Sequence, residues 1–189
     1  MKKIYITDLD HTFLRNDLSV SDYTKKIWNS YAENSILGIA TARTYMKTAQ
    51  FLGGVRLNAP MILLDGALIA TMDKKIIDTK LLPRDITDMI IDEGWKFGIY
   101  PFLLSLSNSK NLTEAFVHDK VLNKHQRKVL ARYSSADNLV ECDGIRAMDD
   151  NFKIVYMGEE EQLRELHEHL VNLFEDSLKF ILAPEAYTG

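Results

Sequence analysis

The sequence is sparing with the residues that staple, break or insert a chain. Its 189 residues include one cysteine, Cys142. That excludes an intrachain disulfide framework and a metal cluster built on cysteine alone. Four prolines and nine glycines are too few for a Pro- or Gly-rich linker, and no internal repeat or low-complexity tract stands out. No apolar run approaches the roughly 18 residues of a membrane span. The opening Met1-Lys2-Lys3-Ile4-Tyr5-Ile6 meets polar Thr7-Asp8-Leu9-Asp10 too early for a signal peptide. A cytoplasmic protein without a membrane partner is the expectation. Positive charge is also short: 23 Lys+Arg stand against 27 Asp+Glu, a net charge of −4, which gives no support for nucleic acid as a partner.

What is present is the composition of a folded globule, 46% hydrophobic and 26% charged. The length allows one domain, or one with a small appendage. Residues 3–7 read as a short strand closed by Asp8. Ser21 is placed to cap a helix over about 22–34, where Ile27, Trp28 and Tyr31 share a face. Residues 35–40 form a second apolar run. Thr44 is placed to cap a helix to about 52, stopped by Gly53-Gly54. Met61-Ile62-Leu63-Leu64 is a third run, and residues 67–77 suggest a hairpin about Asp73-Lys74. Strand, helix, strand, helix, strand is the order of a parallel α/β sheet. Beyond about residue 78 the pattern changes to a small α+β group. It has a helix from Pro83 to about 93 ended by Gly94, a strand over 97–105, and a helix over 120–132. A strand near Leu139-Val140, a strand over 153–157, a helix over 159–174 and a strand over 178–182 follow. The expected division is 1–79 and 80–189.

The segment that carries chemistry is Asp8-Leu9-Asp10-His11-Thr12, immediately after the first strand. Ligand sites in open α/β sheets lie outside the carboxyl ends of strands. Two carboxylates spaced i, i+2 there can divide two roles. One attacks a phosphorus atom, and the other protonates the leaving oxygen and then activates water. Successive backbone N–H groups can hold phosphate oxygens, and the oxygen-rich turn suits Mg²⁺. A strand end followed by a plain turn is the alternative. Thr41, at the end of the second strand, offers a hydroxyl to a phosphoryl oxygen, or else helps cap the next helix. Asp65-Gly66 follows the third strand and reads equally as a turn into the hairpin.

Together these segments resemble a family. Asp8-Leu9-Asp10-His11-Thr12-Phe13-Leu14 resembles motif I of the haloacid dehalogenase-like phosphohydrolases. Ala40-Thr41-Ala42-Arg43 is similar to motif II, nearest to the Cof-type subfamily, and Leu64-Asp65-Gly66-Ala67-Leu68-Ile69 is similar to that subfamily's Asn-Gly-Ala segment. The resemblance implies a partial Rossmannoid parallel sheet with an inserted α+β cap. It also implies a Mg²⁺-dependent phosphatase acting on small phosphorylated metabolites, such as sugar phosphates, through an aspartyl-phosphate. By it, Asp8 is the nucleophile and a metal ligand, and Asp10 is the general acid/base with its carbonyl on the metal. Thr41, with Leu9 and Ala42, binds phosphate, while Arg43, Asp65 and Gly66 are candidates for substrate contact.

Three departures accompany the resemblance. His11 stands where the family usually has Gly, in a turn that calls for an unusual backbone angle. Asp65 stands for the usual Asn. No Lys context resembling motif III and no acidic loop of motif IV is found, and Asp149-Asp150 reads as a turn. The expectation is therefore a shortened enzyme, weakly active or inactive in this form. A non-catalytic remnant that binds a phosphorylated metabolite or partner chain, and a phosphosugar mutase, are the alternatives. The first strand, apolar like an interior strand, is expected to present an open edge; if nothing covers it, the chain self-associates through it or folds only marginally. His118, His125, His167 and His169 do not form a metal pattern: 167 and 169 point to different helix faces.

Overall fold

The computed structural model describes residues 2–133 and 138–183. The chain divides into two compact units. The first comprises Met1–Leu81 with Leu106–Glu114, and the second Leu82–Ser105 with the chain from Ala115 onward. The first thus reclaims a short piece, 106–114, from within the stretch that composition assigned wholly to the second.

In the first unit, β1 (Lys3–Thr7) pairs in parallel with β2 (Ser35–Ile39), Tyr5 opposite Leu37. The crossover between them carries α1 (Asp22–Tyr31), which Ser21 caps by accepting the Thr24 N–H. α1 buries none of its residues fully. It is held instead by Trp28, whose ring meets Phe13 edge-on at 5.0 Å and whose Nε1–H donates to the Arg56 carbonyl at 3.0 Å. α2 (Tyr45–Ala49) follows β2, with Thr44 as its cap. β3 (Met61–Leu63) touches the end of β2 through a parallel bridge, Ala40 to Ile62. It then pairs antiparallel with β4 (Leu68–Ala70), which pairs antiparallel with β5 (Ile76–Thr79). Leu9, Leu37, Ile39, Met61, Leu63 and Leu68 are fully buried and form the core beneath these strands.

Among the described residues no strand pairs with the other edge of β1. Ile4 and Ile6, on one face of that strand, are 63% and 54% exposed. In a parallel pair, alternate residues direct both N–H and C=O to one side. Thr7 bonds toward β2 through its carbonyl, so Ile4 and Ile6 offer theirs to the open side.

A four-stranded sheet in the order β8-β7-β6-β9 is made of β6 (Phe102–Asn108), β7 (Thr113–Asp119), β8 (Leu139–Cys142) and β9 (Asn151–Val155); it belongs to the second unit except for the end of β6 from Leu106 and the start of β7 to Glu114, which fall in the first. α3 (Arg84–Lys96) and α5 (Glu160–Phe174) pack together through Ile90, Leu166, Leu170 and Phe174. The next residue of α3, Ile91, enters a second cluster with Leu103, Ala115, Val117 and Ile145. α4 (Lys124–Leu130) opens on a capping box made by Asn123 and Gln126. The Phe102 and Phe116 rings meet at a tilt, centroids 4.7 Å apart, with Phe102 fully buried and Phe116 partly so.

Three sequence expectations need correction here. Strand β7 falls where none was expected. Residues 178–182, expected as a strand, form none: Leu178 and Phe180 pack on the α3–α5 cluster instead of pairing with a sheet edge. Gly94 does not end α3. It lies inside the helix, where any Cβ would collide with the Tyr156 ring, and the helix runs on to Lys96 before Gly98 turns with φ +71°. The aspartates 149 and 150 sit in a bend, with Asp149 paired to Arg84 at 3.1 Å. His125 pairs with Glu159 at 3.0 Å and His169 with Glu93 at 2.8 Å, and no group of three His, Cys, Asp or Glu suited to a metal occurs among the described residues. No helix there is long and apolar enough to cross a membrane.

Candidate active site

Asp8 leaves β1 in extended conformation and turns its carboxylate back on the chain, where Oδ1 accepts the Leu9 N–H at 2.7 Å. The next residues form a wide turn closed by the Leu14 N–H on the Leu9 carbonyl at 2.8 Å. His11 makes the turn possible with φ +53°, the left-handed angle at which Gly is usual. Its side chain is exposed. The buried side chains of Leu9 and Phe13 fix the turn from beneath, so a polar loop is anchored by apolar packing.

The end of β2 supplies the second wall. Thr41 is buried, its N–H donating to the Ile62 carbonyl at 2.9 Å and its Oγ1 accepting the Arg43 N–H at 3.2 Å. After β3, Leu64, Asp65 and Gly66 all have positive φ, at 51°, 57° and 94°. Asp and Gly tolerate this region, but Leu64 stores strain there. Its side chain is buried, and its N–H is held by the Arg43 carbonyl at 3.2 Å.

These three strand ends border an open pocket of about 450 Å³ lined by Asp8, Ala40, Thr41, Ala42, Ile62, Asp65 and Gly66. Five of the sequence candidates therefore meet at one place: Asp8, Thr41, Ala42, Asp65 and Gly66. Ala40, the first residue of the motif II segment, and Ile62, which belongs to no motif, complete the lining. Asp10 and Arg43 do not line it. They form a bidentate pair, Arg43 Nε on Oδ2 at 2.8 Å and Nη2 on Oδ1 at 2.6 Å. The Arg43 hydrogen bonds hold the Asp10 carboxyl below the usual carboxylate range, against the opposing effect of burial. The Arg43 guanidinium also lies over the Phe51 ring, 5.0 Å from its centroid. Leu9, a phosphate-binding candidate, is buried and its N–H is committed to Asp8.

One further carboxylate escaped the motif reading altogether. Glu114, the last residue of the 106–114 segment of the first unit, is buried and accepts the N–H groups of Tyr45 and Met46 at 2.8 and 3.1 Å. Burial pushes its pKa above the ordinary glutamate value, opposed by those hydrogen bonds.

The donors suit a hard cation. Asp8 offers a carboxylate, and every other donor at the strand ends is oxygen. Mg²⁺ is commonly held by one or two carboxylates while keeping waters and substrate phosphate. A small donor set of this kind fits it.

A sequence model of the haloacid dehalogenase-like hydrolases matches residues 5–187. The chain belongs to that family, a family of enzymes. Solved structures share the fold. TM0651 from Thermotoga maritima aligns with a TM-score of 0.73 at 19% identity, covering 97% of this chain and 67% of that one. A haloacid dehalogenase-like hydrolase from Bacteroides thetaiotaomicron aligns with 0.72 at 13% identity, covering 97% and 68%. The subclass IIB sugar phosphatase BT4131 aligns with 0.59 at 13% identity, covering 89% and 63%. The chain thus spans roughly two thirds of the length of each. No curated protein matches the chain.

Proposed function

We propose that this chain carries the nucleophile-bearing part of a Mg²⁺-dependent phosphohydrolase of the Cof type, acting on small phosphorylated metabolites such as sugar phosphates. The observation that carries the reading is that Asp8, Thr41 and Ala42 line one and the same open pocket. In this reading an Asp8 oxygen attacks phosphorus, the bond from phosphorus to the substrate oxygen breaks, and an aspartyl-phosphate forms. Asp10 gives its proton to the departing alkoxide. It then takes a proton from water as the water oxygen displaces Asp8 and releases phosphate. The Thr41 hydroxyl and the Ala42 N–H hold phosphoryl oxygens.

Mg²⁺ would be held by the Asp8 carboxylate and the Asp10 carbonyl, supplying positive charge between carboxylate and phosphoryl oxygens. The acid role of Asp10 requires Arg43 to release one of its two oxygens. A phosphoryl dianion competing for the same guanidinium supplies a reason for that release. Arg43 then becomes a substrate contact, and Asp65 and Gly66 bound the far side of the pocket. The open edge of β1 is the surface through which we expect the chain to associate, with a second copy as the partner.

The test is hydrolysis of a panel of phosphomonoesters with Mg²⁺, using Asp8→Asn as control. Turnover that the substitution abolishes supports the reading. Binding of phosphomonoesters without turnover would favour a non-catalytic chain, and transfer between sugar positions without phosphate release would favour a mutase.

A further inference from the structure

The first turn of α2 can be followed atom by atom. A helix leaves its first four N–H groups without partners inside the helix. Here the Thr48 N–H makes the first intrahelical bond, to the Thr44 carbonyl, and among the orphan groups the Lys47 N–H is taken by Thr44 Oγ1. Those of Tyr45 and Met46 are both taken by the Glu114 carboxylate. α2 has five residues, too few to hold its own shape in water. Its start is therefore set from outside, by a carboxylate 69 residues away in sequence.

That start matters because of what precedes it. Arg43 lies two residues before Tyr45, with its N–H on Thr41 Oγ1 and its carbonyl on Leu64 N–H. Thr41 and Ala42 are cavity lining. A shift of the α2 start would pass directly into the loop that faces the cavity.

We propose that Glu114 is a positioning residue: by gripping Tyr45 and Met46 it fixes the Thr41–Arg43 loop in its phosphate-binding shape. It touches no substrate, and the proposal rests on the phosphohydrolase reading only for the nature of the ligand.

The test uses the full chain, with Glu114→Ala and the near-isosteric Glu114→Gln. Amide exchange should quicken about ten- to hundredfold at Tyr45 and Met46 in Glu114→Ala, the effect of losing hydrogen bonds to a charged acceptor. Exchange should also rise at Arg43, while β1 and β2 keep their protection. Inorganic phosphate with Mg²⁺, followed by the Thr41 and Ala42 amide signals, should bind about tenfold more weakly in Glu114→Ala, with Glu114→Gln, which keeps an acceptor for one of the two N–H groups, recovering part of the loss. Phosphate binding in the parent that is unchanged in Glu114→Ala overturns the positioning role. So does a uniform loss of protection across β1 and β2 in both variants, which would make Glu114 a residue of general stability. Absence of any phosphate effect on Thr41 and Ala42 in the parent chain would instead overturn the ligand reading. The local exchange pattern would then decide the structural half by itself.

Discussion

The Arg43–Asp10 pair allows a quantitative prediction, because its geometry is good and its exposure intermediate. Two charge-assisted contacts at 2.8 and 2.6 Å would be strong if buried. The side chains are 23% and 38% exposed, however, and solvent screening reduces such a pair to about 0.5–1 kcal/mol. Arg43→Ala also loses the contact with the Phe51 ring, worth about 0.5 kcal/mol at a site this open. The single substitution should therefore cost about 1–1.5 kcal/mol. A double-mutant cycle with Asp10→Asn removes the Phe51 contribution and should leave a coupling of about 0.5–1 kcal/mol at neutral pH. The pH dependence has a fixed sign. The folded-state pKa of Asp10 lies below its ordinary value of 3.8, chiefly through the Arg43 hydrogen bonds. Stability from the pair is thus fully present above the unfolded pKa and is lost as pH falls through the folded one. Urea unfolding of the four proteins at neutral pH and again near pH 2.5 measures both quantities. A coupling indistinguishable from zero at neutral pH refutes the reasoning. A coupling that survives unchanged in acid refutes it equally, since the interaction would then not depend on an ionised Asp10.

Other substitutions test other parts of the fold. Gly94→Ala gains helix propensity of about 1 kcal/mol but drives a methyl group into Tyr156, whose hydroxyl donates to the Ile90 carbonyl at 2.7 Å. A net loss of about 1–2 kcal/mol in urea unfolding is expected, and a more stable variant would show that Tyr156 yields freely. Asn123→Ala removes the cap that accepts the His125 and Gln126 N–H groups and should cost about 1 kcal/mol, measured the same way. For Glu114, burial raises the folded-state pKa above 4.5. Its contribution is greatest below the unfolded pKa and shrinks as pH rises through the folded one, so Glu114→Gln should flatten a decline in stability above about pH 4.5. Light scattering should find the parent chain self-associated and Ile6→Lys, on the open strand, less so. A dispersed parent monomer would remove that expectation.

The parts of this molecule that were legible in sequence are those fixed by local chemistry. Ser21 and Thr44 announce α1 and α2 because a cap is a contact between a side chain and an N–H two or three residues away. Asp8, Thr41 and Asp65 announce a site because each follows an apolar run, and in a sheet of this kind the ends of such runs converge. His11 could be marked as an unusual angle because the resemblance places Gly there, and it does adopt φ +53°. What sequence could not supply was the far partner. Gly94 looks like a stop signal until Tyr156, 62 positions later, is laid across it. Arg43 closes the segment that resembles motif II, yet its fork pairs with Asp10 and does not line the pocket. Glu114 sits in an unmarked stretch of β7, a strand that the pattern of residues did not reveal, and no motif points to it. Its importance arises only from burial beside two N–H groups that a five-residue helix cannot satisfy itself. Long-range polar contacts of this sort leave almost no trace in residue type, because any Glu on a half-buried strand looks alike until its acceptor oxygens are placed. The motif loops are therefore readable as a list of groups, while their shape depends on residues far along the chain. That is why Glu114 and Arg43, and not Asp8, are the positions where structure adds most to the chemistry.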